Sequence, residues 1–170
     1  SEMCIRDRNG MAILQDMLYF TANQEKEHAI VFYNYLKDVF KDANVSMEAN
    51  YPVDLDQDLS SLLEQAAQHE YDEATSIYKQ FGDEAKEEGY VEIATTFYMI
   101  CEIEHYHHER FKKYHNLLTS GKLFNDQSTV KWMCMNCGFI YEGTDALTIC
   151  PVCKHPQGYS LRLDESQFHL

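Results

Sequence analysis

Proline is scarce in this chain, three residues in 170, so long stretches are free to be helical. No window approaches eighteen uninterrupted apolar residues, which excludes a membrane-spanning helix. Basic charge is also in short supply. Before residue 128 there are 24 acidic residues against 11 basic ones, and the whole chain carries a net charge of −14. A nucleic-acid-binding surface needs a basic footprint that is missing here, whereas a surplus of carboxylates suits a protein that holds cations. No secretion signal is in view, so a disulfide scaffold is the poorer reading of the six cysteines and a reducing, cytoplasmic setting is the expected one. The 45% hydrophobic content is enough for one good core plus a small metal-stabilised module.

Four of the six cysteines form two Cys-x-x-Cys pairs, Cys134/Cys137 and Cys150/Cys153, in the strings MCMNCGF and ICPVCKH, with twelve residues between them. Each pair sets two sulfurs at one turn of backbone. The connection is short enough to fold one knuckle against the other, so four thiolates can converge tetrahedrally on one metal. Spacing alone does not choose between iron and zinc. Around the pairs stand Trp132, Phe139, Tyr141 and Tyr159, with Gly138 after the second cysteine and Pro151 inside the last pair. With the strings CxxCGxxY and CPxCxxP, these residues make Lys131 to Leu170 resemble the short rubredoxin-like module of rubrerythrins. That resemblance implies a single iron acting as a one-electron carrier. Zinc is the alternative and would make the segment structural only. Cys101, in an apolar helical context, and Cys4, in the N-terminal tail, read as free thiols.

Upstream, apolar periodicity predicts three long helices. The first runs from about Gly10 to Phe40, with Ile13, Met17, Phe20, Ile30 and Tyr33 near helical spacing. Asn44 to Gln57, containing Asn50, Tyr51, Pro52 and a run of aspartates, reads as a loop. A second helix starts near Asp58 to Ser61, which offer caps, and ends at Glu88 before the C-cap signal of Gly89. The third covers about Tyr90 to Thr119. The organisation that follows is a tail over 1–9, a helical domain over 10–122, a polar linker over 123–130 and the cysteine module over 131–170.

An internal repeat turns the helices into chemistry. Gly10 precedes Glu25 by fifteen residues, and Gly89 precedes Glu104 by the same interval; three residues after each glutamate comes a histidine, His28 or His107. Leu14 aligns with Ile93, Leu18 with Phe97 and Ala22 with Cys101. A Glu-x-x-His pair on a helix presents carboxylate and imidazole on one face, one turn apart, so both can reach one metal centre. Glu102/His105 has the same spacing but falls out of register, and two residues of helix turn Glu102 about 200° away from Glu104. It is therefore rejected in favour of Glu104/His107. On the middle helix Glu70 and Glu73 are one turn apart, flanked by Ala66, Ala67, Ala74 and Ile77. A solvated acidic patch is the plain alternative, but carboxylates on so apolar a face require a cation if they are buried.

Two Glu-x-x-His helices, a Glu-x-x-Glu helix and a C-terminal tetracysteine module together resemble rubrerythrin, and EEGYVEIATTF followed by EIEHYHHERF is similar to that family's last bundle helix. The resemblance runs from about Gly10 to the C-terminus. It implies a mainly α protein, a ferritin-like four-helix bundle with a carboxylate-bridged di-iron centre, followed by the rubredoxin-like domain. By position, Glu25 and Glu104 would bridge the irons, with His107 and Glu70 as terminal ligands of one. His28 and Glu73 would be the ligands between which the other iron exchanges, and Tyr78 would match a tyrosine that hydrogen-bonds near the cluster. The catalytic set implied is Glu25, Glu73, Glu104 and Tyr78. The implied activity is reduction of hydrogen peroxide to water, with electrons from a reduced rubredoxin, a ferredoxin or an NAD(P)H-dependent reductase, in a homodimer.

One departure stands out. Glu70 lies 34 residues before Glu104, and a counterpart for Glu25 would fall upstream of Ser1. The expectation is a chain lacking the first of four bundle helices and one glutamate ligand, with an exposed apolar stripe. Such a chain would hold fewer than two irons in the bundle and show little peroxidase activity unless another chain supplies the helix. The leading SEMCIRDR reads as a non-native or artefactual tail. Two other classes compete: a ferritin-like iron-storage protein, which has no need of the four cysteines, and a zinc-ribbon interaction protein, which leaves the repeat unexplained.

Overall fold

A computed structural model of the chain describes residues 10–41, 43, 44, 46 and 58–166. The tail with Cys4, and Asn50, Tyr51 and Pro52 of the expected loop, lie outside the described residues. The helices are α1 (Ala12–Phe40), α2 (Leu59–Asp72), α3 (Tyr78–Glu87) and α4 (Val91–Thr119). A five-residue π-helical turn, Glu73–Ile77, joins α2 to α3. Periodicity predicts the bounds of α1 and α4 to within two residues. It does not predict the π turn, because one extra residue in a turn leaves the apolar pattern almost unchanged.

Local chemistry explains the helix ends. Asp58 caps α2, its carboxylate accepting from the Ser61 N–H at 3.0 Å. At the end of α3, Gly89 takes a positive φ of 88°, Tyr90 N–H donates to Ala85 O, and Gly89 N–H donates to Lys86 O. Gly121 repeats the device after α4, with Lys122 N–H on Leu117 O and its own N–H on Leu118 O. Both are Schellman closures, which need a left-handed residue and take glycine at no steric cost.

The described residues divide into two compact units, one within 21–115 and one made of 10–20 with 116–166. In the helical unit, Leu63, Ala67, Ala94, Ile100 and Phe111 are buried, yet the fully enclosed large side chains are Glu104 and His107. Phe32 stacks on Phe97 with ring centroids 4.8 Å apart, and Tyr35 shares a 2.7 Å hydrogen bond with Thr96. A Cβ on Gly82 would fall 2.5 Å from the Tyr98 ring, so the absent side chain lets α3 and α4 close up. Tyr33, Val39, Met99 and Tyr106 are all more than 60% exposed.

The second unit holds a three-stranded antiparallel sheet of order β2-β1-β3, with β1 at Asn125–Cys134, β2 at Ile140–Asp145 and β3 at Ser160–Arg162. Strand β1 thus begins inside the stretch read from composition as linker. Its first residues pair irregularly between Asn125 and Val130, and their polar side chains face water, so they carry no alternating signature. Trp132 is the centre of this core, wholly buried, its indole N–H donating to Gly143 O at 3.1 Å. In the same unit the backbone of Gly10 and Met11 lies directly on Gly158, where an added Cβ would come within 1.6 Å of the Gly10 carbonyl oxygen.

Candidate metal centres

The cysteine site is built by two matching loops. In the first, Cys134 N–H donates to Phe139 O and Gly138 N–H to Cys134 O; in the second, Cys150 N–H donates to His155 O and Lys154 N–H to Cys150 O. Gly138 and Lys154, each following the second cysteine of its pair, both take a left-handed φ, 74° and 64°. This turn aims four sulfurs inward: Cys134 lies 3.6 Å from Cys153 and Cys137 lies 3.6 Å from Cys150, all four within 4.8 Å of one another. Such spacing suits four ligands about 2.3 Å from a common centre. The backbone N–H of His155 holds the Cys153 thiol down at about 5. Burial pushes Cys134 up. Cys137 is lowered by the Phe139 N–H but ends at about 12 under desolvation and the crowding of the other sulfurs. Four thiolates so close together need a central cation.

The second centre lies in the helical unit and draws on distant parts of the chain. Glu25 from α1, Glu70 from α2, and Glu104 with His107 from α4 bring their ligand atoms within 4.8 Å of one another. His107 Nδ1 is 2.7 Å from Glu25 Oε1, 2.8 Å from Glu104 Oε2 and 3.4 Å from Glu70 Oε2. These are hydrogen-bond distances, but the directions are wrong: Glu25 Oε1, Glu70 Oε2, both Glu104 oxygens and His107 Nδ1 are buried with no hydrogen-bond partner. One N–H cannot serve three carboxylates, and orphaned buried oxygens are costly. Lone pairs converging on a shared point are what a metal requires, and the donor set of carboxylates and imidazole suits iron. The residues fit a carboxylate- and histidine-ligated iron site.

Electrostatics agree with that fit. Burial opposes the charge on His107, yet Glu104, Glu25 and Glu70 raise it to about 11. Glu25 falls to about 2 because the two histidines outweigh its desolvation. Burial raises Glu70, and burial followed by repulsion from Glu70 and Glu104 lifts Glu73 to about 7.

The remaining residues singled out in the sequence sit around this cluster. His28 is buried and turns Nδ1 toward Glu104 at 3.0 Å and Glu25 at 3.2 Å, beside the four-residue group and not in it. Glu73, also outside the group, opens the π turn and feels the charges of Glu70, Glu104 and Glu25. Single-turn π insertions are frequent at functional sites. Tyr78 stacks on Phe32 and Phe97 at 5.8 and 6.1 Å, and burial and then Glu73 keep its phenol neutral. Glu102 and His105 face solvent. Sequence reading misses Gln24, Thr21 and Arg110. Gln24 Oε1 accepts from His107 Nε2 at 3.1 Å and from Arg110 Nη1 at 3.0 Å, and Arg110 also reaches Thr21 Oγ1 at 2.8 Å. The one signal available was the position of Gln24 beside Glu25.

Comparison with known proteins joins the two centres. The rubrerythrin family model matches residues 5–115, and the model described as the rubredoxin-like domain of rubrerythrin matches residues 132–159. The chain is 42% identical over 152 residues to a rubrerythrin from Clostridium perfringens and 34% identical to one from Nitratidesulfovibrio vulgaris; each alignment covers 89% of this chain and 78% of the relative. Among solved structures, partially reduced nigerythrin superposes with a TM-score of 0.59 at 20% identity, covering 95% of this chain and 74% of that one. That likeness shows the fold alone, a ferritin-like helical domain with a rubredoxin-like domain.

Proposed function

The chain belongs to the rubrerythrin family, a family of non-haem di-iron oxidoreductases, and on that premise we propose that it reduces hydrogen peroxide to water. The balance is one peroxide, two electrons and two protons giving two waters. Iron bound in the helical cluster supplies the two-electron chemistry, and iron bound by the cysteines passes electrons singly. The observation that carries the reading is the co-occurrence, in one chain, of a cluster of orphaned carboxylates and a four-sulfur site. Storage of iron needs only the first and a structural zinc only the second.

Each residue then has a task. With iron bound, Glu25 and Glu104 would be the carboxylates shared by both metal positions, and Glu70 and His107 would complete the ligands of one of them. His28 and Glu73 would be alternative ligands to the other. Tyr78, packed against Phe32 and Phe97, would supply a phenolic O–H near the cluster. Cys134, Cys137, Cys150 and Cys153 would hold the relay iron. The electron source is a rubredoxin, a ferredoxin or an NAD(P)H-dependent reductase, and the protein works as a homodimer in the cytoplasm. No described helix is long and apolar enough to cross a membrane.

The test uses the full chain loaded anaerobically with ferrous iron. Peroxide added to it should be consumed faster than by the Glu104→Ala variant at equal iron in the cysteine site, with two electrons withdrawn per peroxide. Equal consumption by the two proteins would remove the helical cluster from the reaction.

A further inference from the structure

We propose that Arg110, acting through Gln24, fixes which nitrogen of His107 faces the metal cluster; this rests on reading that cluster as a metal site. A guanidinium can only donate. Arg110 Nη1 reaches Gln24 at 3.0 Å and Thr21 Oγ1 at 2.8 Å, so Gln24 has to turn its carbonyl oxygen, and not its amide N–H₂, toward the arginine. A flipped amide would set donor against donor. The same oxygen lies 3.1 Å from His107 Nε2, and an oxygen without hydrogen can only accept there. His107 therefore carries its proton on Nε2. Neutral imidazole has one N–H, so the lone pair is left on Nδ1, the atom that lies 2.7 Å from Glu25 and 2.8 Å from Glu104 among the ligand atoms.

The order of donors is forced at every link, and Arg110 is the link that cannot be reversed. A glutamine facing only a histidine could flip with the tautomer, leaving either nitrogen to face the metal. With the arginine behind it, it cannot. Thr21, buried, accepts from the same Nη1 and helps to hold the guanidinium in place. Arg110 and Gln24 are positioning residues: neither is among the ligand atoms.

Zinc(II), diamagnetic and redox-inert, is the probe. It is titrated into the metal-free full chain, with the Glu104→Ala variant reporting the share taken by the cysteines, and ¹⁵N-histidine spectra follow the Nε2–H proton of His107. Gln24→Met should weaken zinc in the helical cluster by about 10- to 100-fold and lose that Nε2–H signal, the range typical of outer partners of a metal-bound histidine. Arg110→Gln, which lets the amide turn, should move the same way. Gln24→Glu and Arg110→Lys preserve the donor order and should stay within about threefold of the parent. If Gln24→Met does not fold, the near-isosteric Gln24→Glu against Arg110→Gln decides the matter. Equal affinity in those two variants, or a Gln24→Met protein that binds zinc as the parent does and keeps the Nε2–H signal, would overturn the proposal. A parent chain binding no zinc beyond the cysteines would overturn the reading of the cluster as well.

Discussion

The two metal centres of this chain are made in opposite ways. The four cysteines come from twenty consecutive residues, and each loop aims its own sulfurs through its own backbone hydrogen bonds. The helical cluster gathers Glu25, Glu70, Glu104 and His107 from three helices, and no short segment could assemble any part of it beyond one Glu-x-x-His pair. The first is a local structure that a metal completes. The second is a tertiary structure that leaves carboxylate oxygens unpaired in its core. A local site can be lost without disturbing the helices, whereas a tertiary site reports on the packing of the whole helical unit.

That contrast is open to direct attack, most strongly at the sulfurs. Cys134→Ser should abolish nearly all of the visible absorption of the ferric four-sulfur site while far-UV circular dichroism keeps its helical signal. Colour surviving the change, or helices lost with it, would mean that the two centres are not independent in their making. Next comes the register. Glu104→Ala should cost iron in the helical cluster more than the roughly 10- to 100-fold expected for an outer partner, whereas Glu102→Ala, on the solvent face, should leave metal content unchanged by elemental analysis. Comparable losses from both would put the wrong pair inside.

A smaller effect sharpens the division. Gly158→Ala would force a methyl into the Gly10 carbonyl and should lower the thermal midpoint of the unit containing the cysteines. Overpacking of this kind costs about 1 to 3 kcal/mol. Metal affinity in the helical cluster should not change. A Gly158→Ala protein as stable as the parent by calorimetry would show that the contact with Gly10 and Met11 yields at no cost.

How much of this could be read from the residues follows from the same contrast. Cysteine spacing carries its own geometry, so the sulfur site was legible without any fold. The helical ligands were legible through a repeat: Gly10 to Glu25 and Gly89 to Glu104 share one interval, and both glycines take a positive φ, 62° and 88°, so each marks the start of the same helical register. This register separated Glu104/His107 from Glu102/His105, which spacing alone could not. The π turn at Glu73–Ile77 escaped because it changes hydrogen bonding rather than hydrophobicity. Asn125 and its neighbours escaped because an edge segment with polar side chains has the composition of a linker. Gln24, Thr21 and Arg110 escaped because they stand behind a ligand and do not face the metal, and nothing in one sequence distinguishes a half-buried arginine from a solvated one.

The claim on which the rest depends is that Glu25, Glu70, Glu104 and His107 hold iron. Mössbauer spectroscopy of the full chain loaded anaerobically with ⁵⁷Fe(II) tests it most directly, because sulfur-bound and oxygen- or nitrogen-bound iron give separate signals. Two components are expected, one from the four cysteines and one from the helical cluster, with the second missing from Glu104→Ala and the first untouched. A spectrum containing only sulfur-bound iron, or a second component that survives Glu104→Ala, would contradict it.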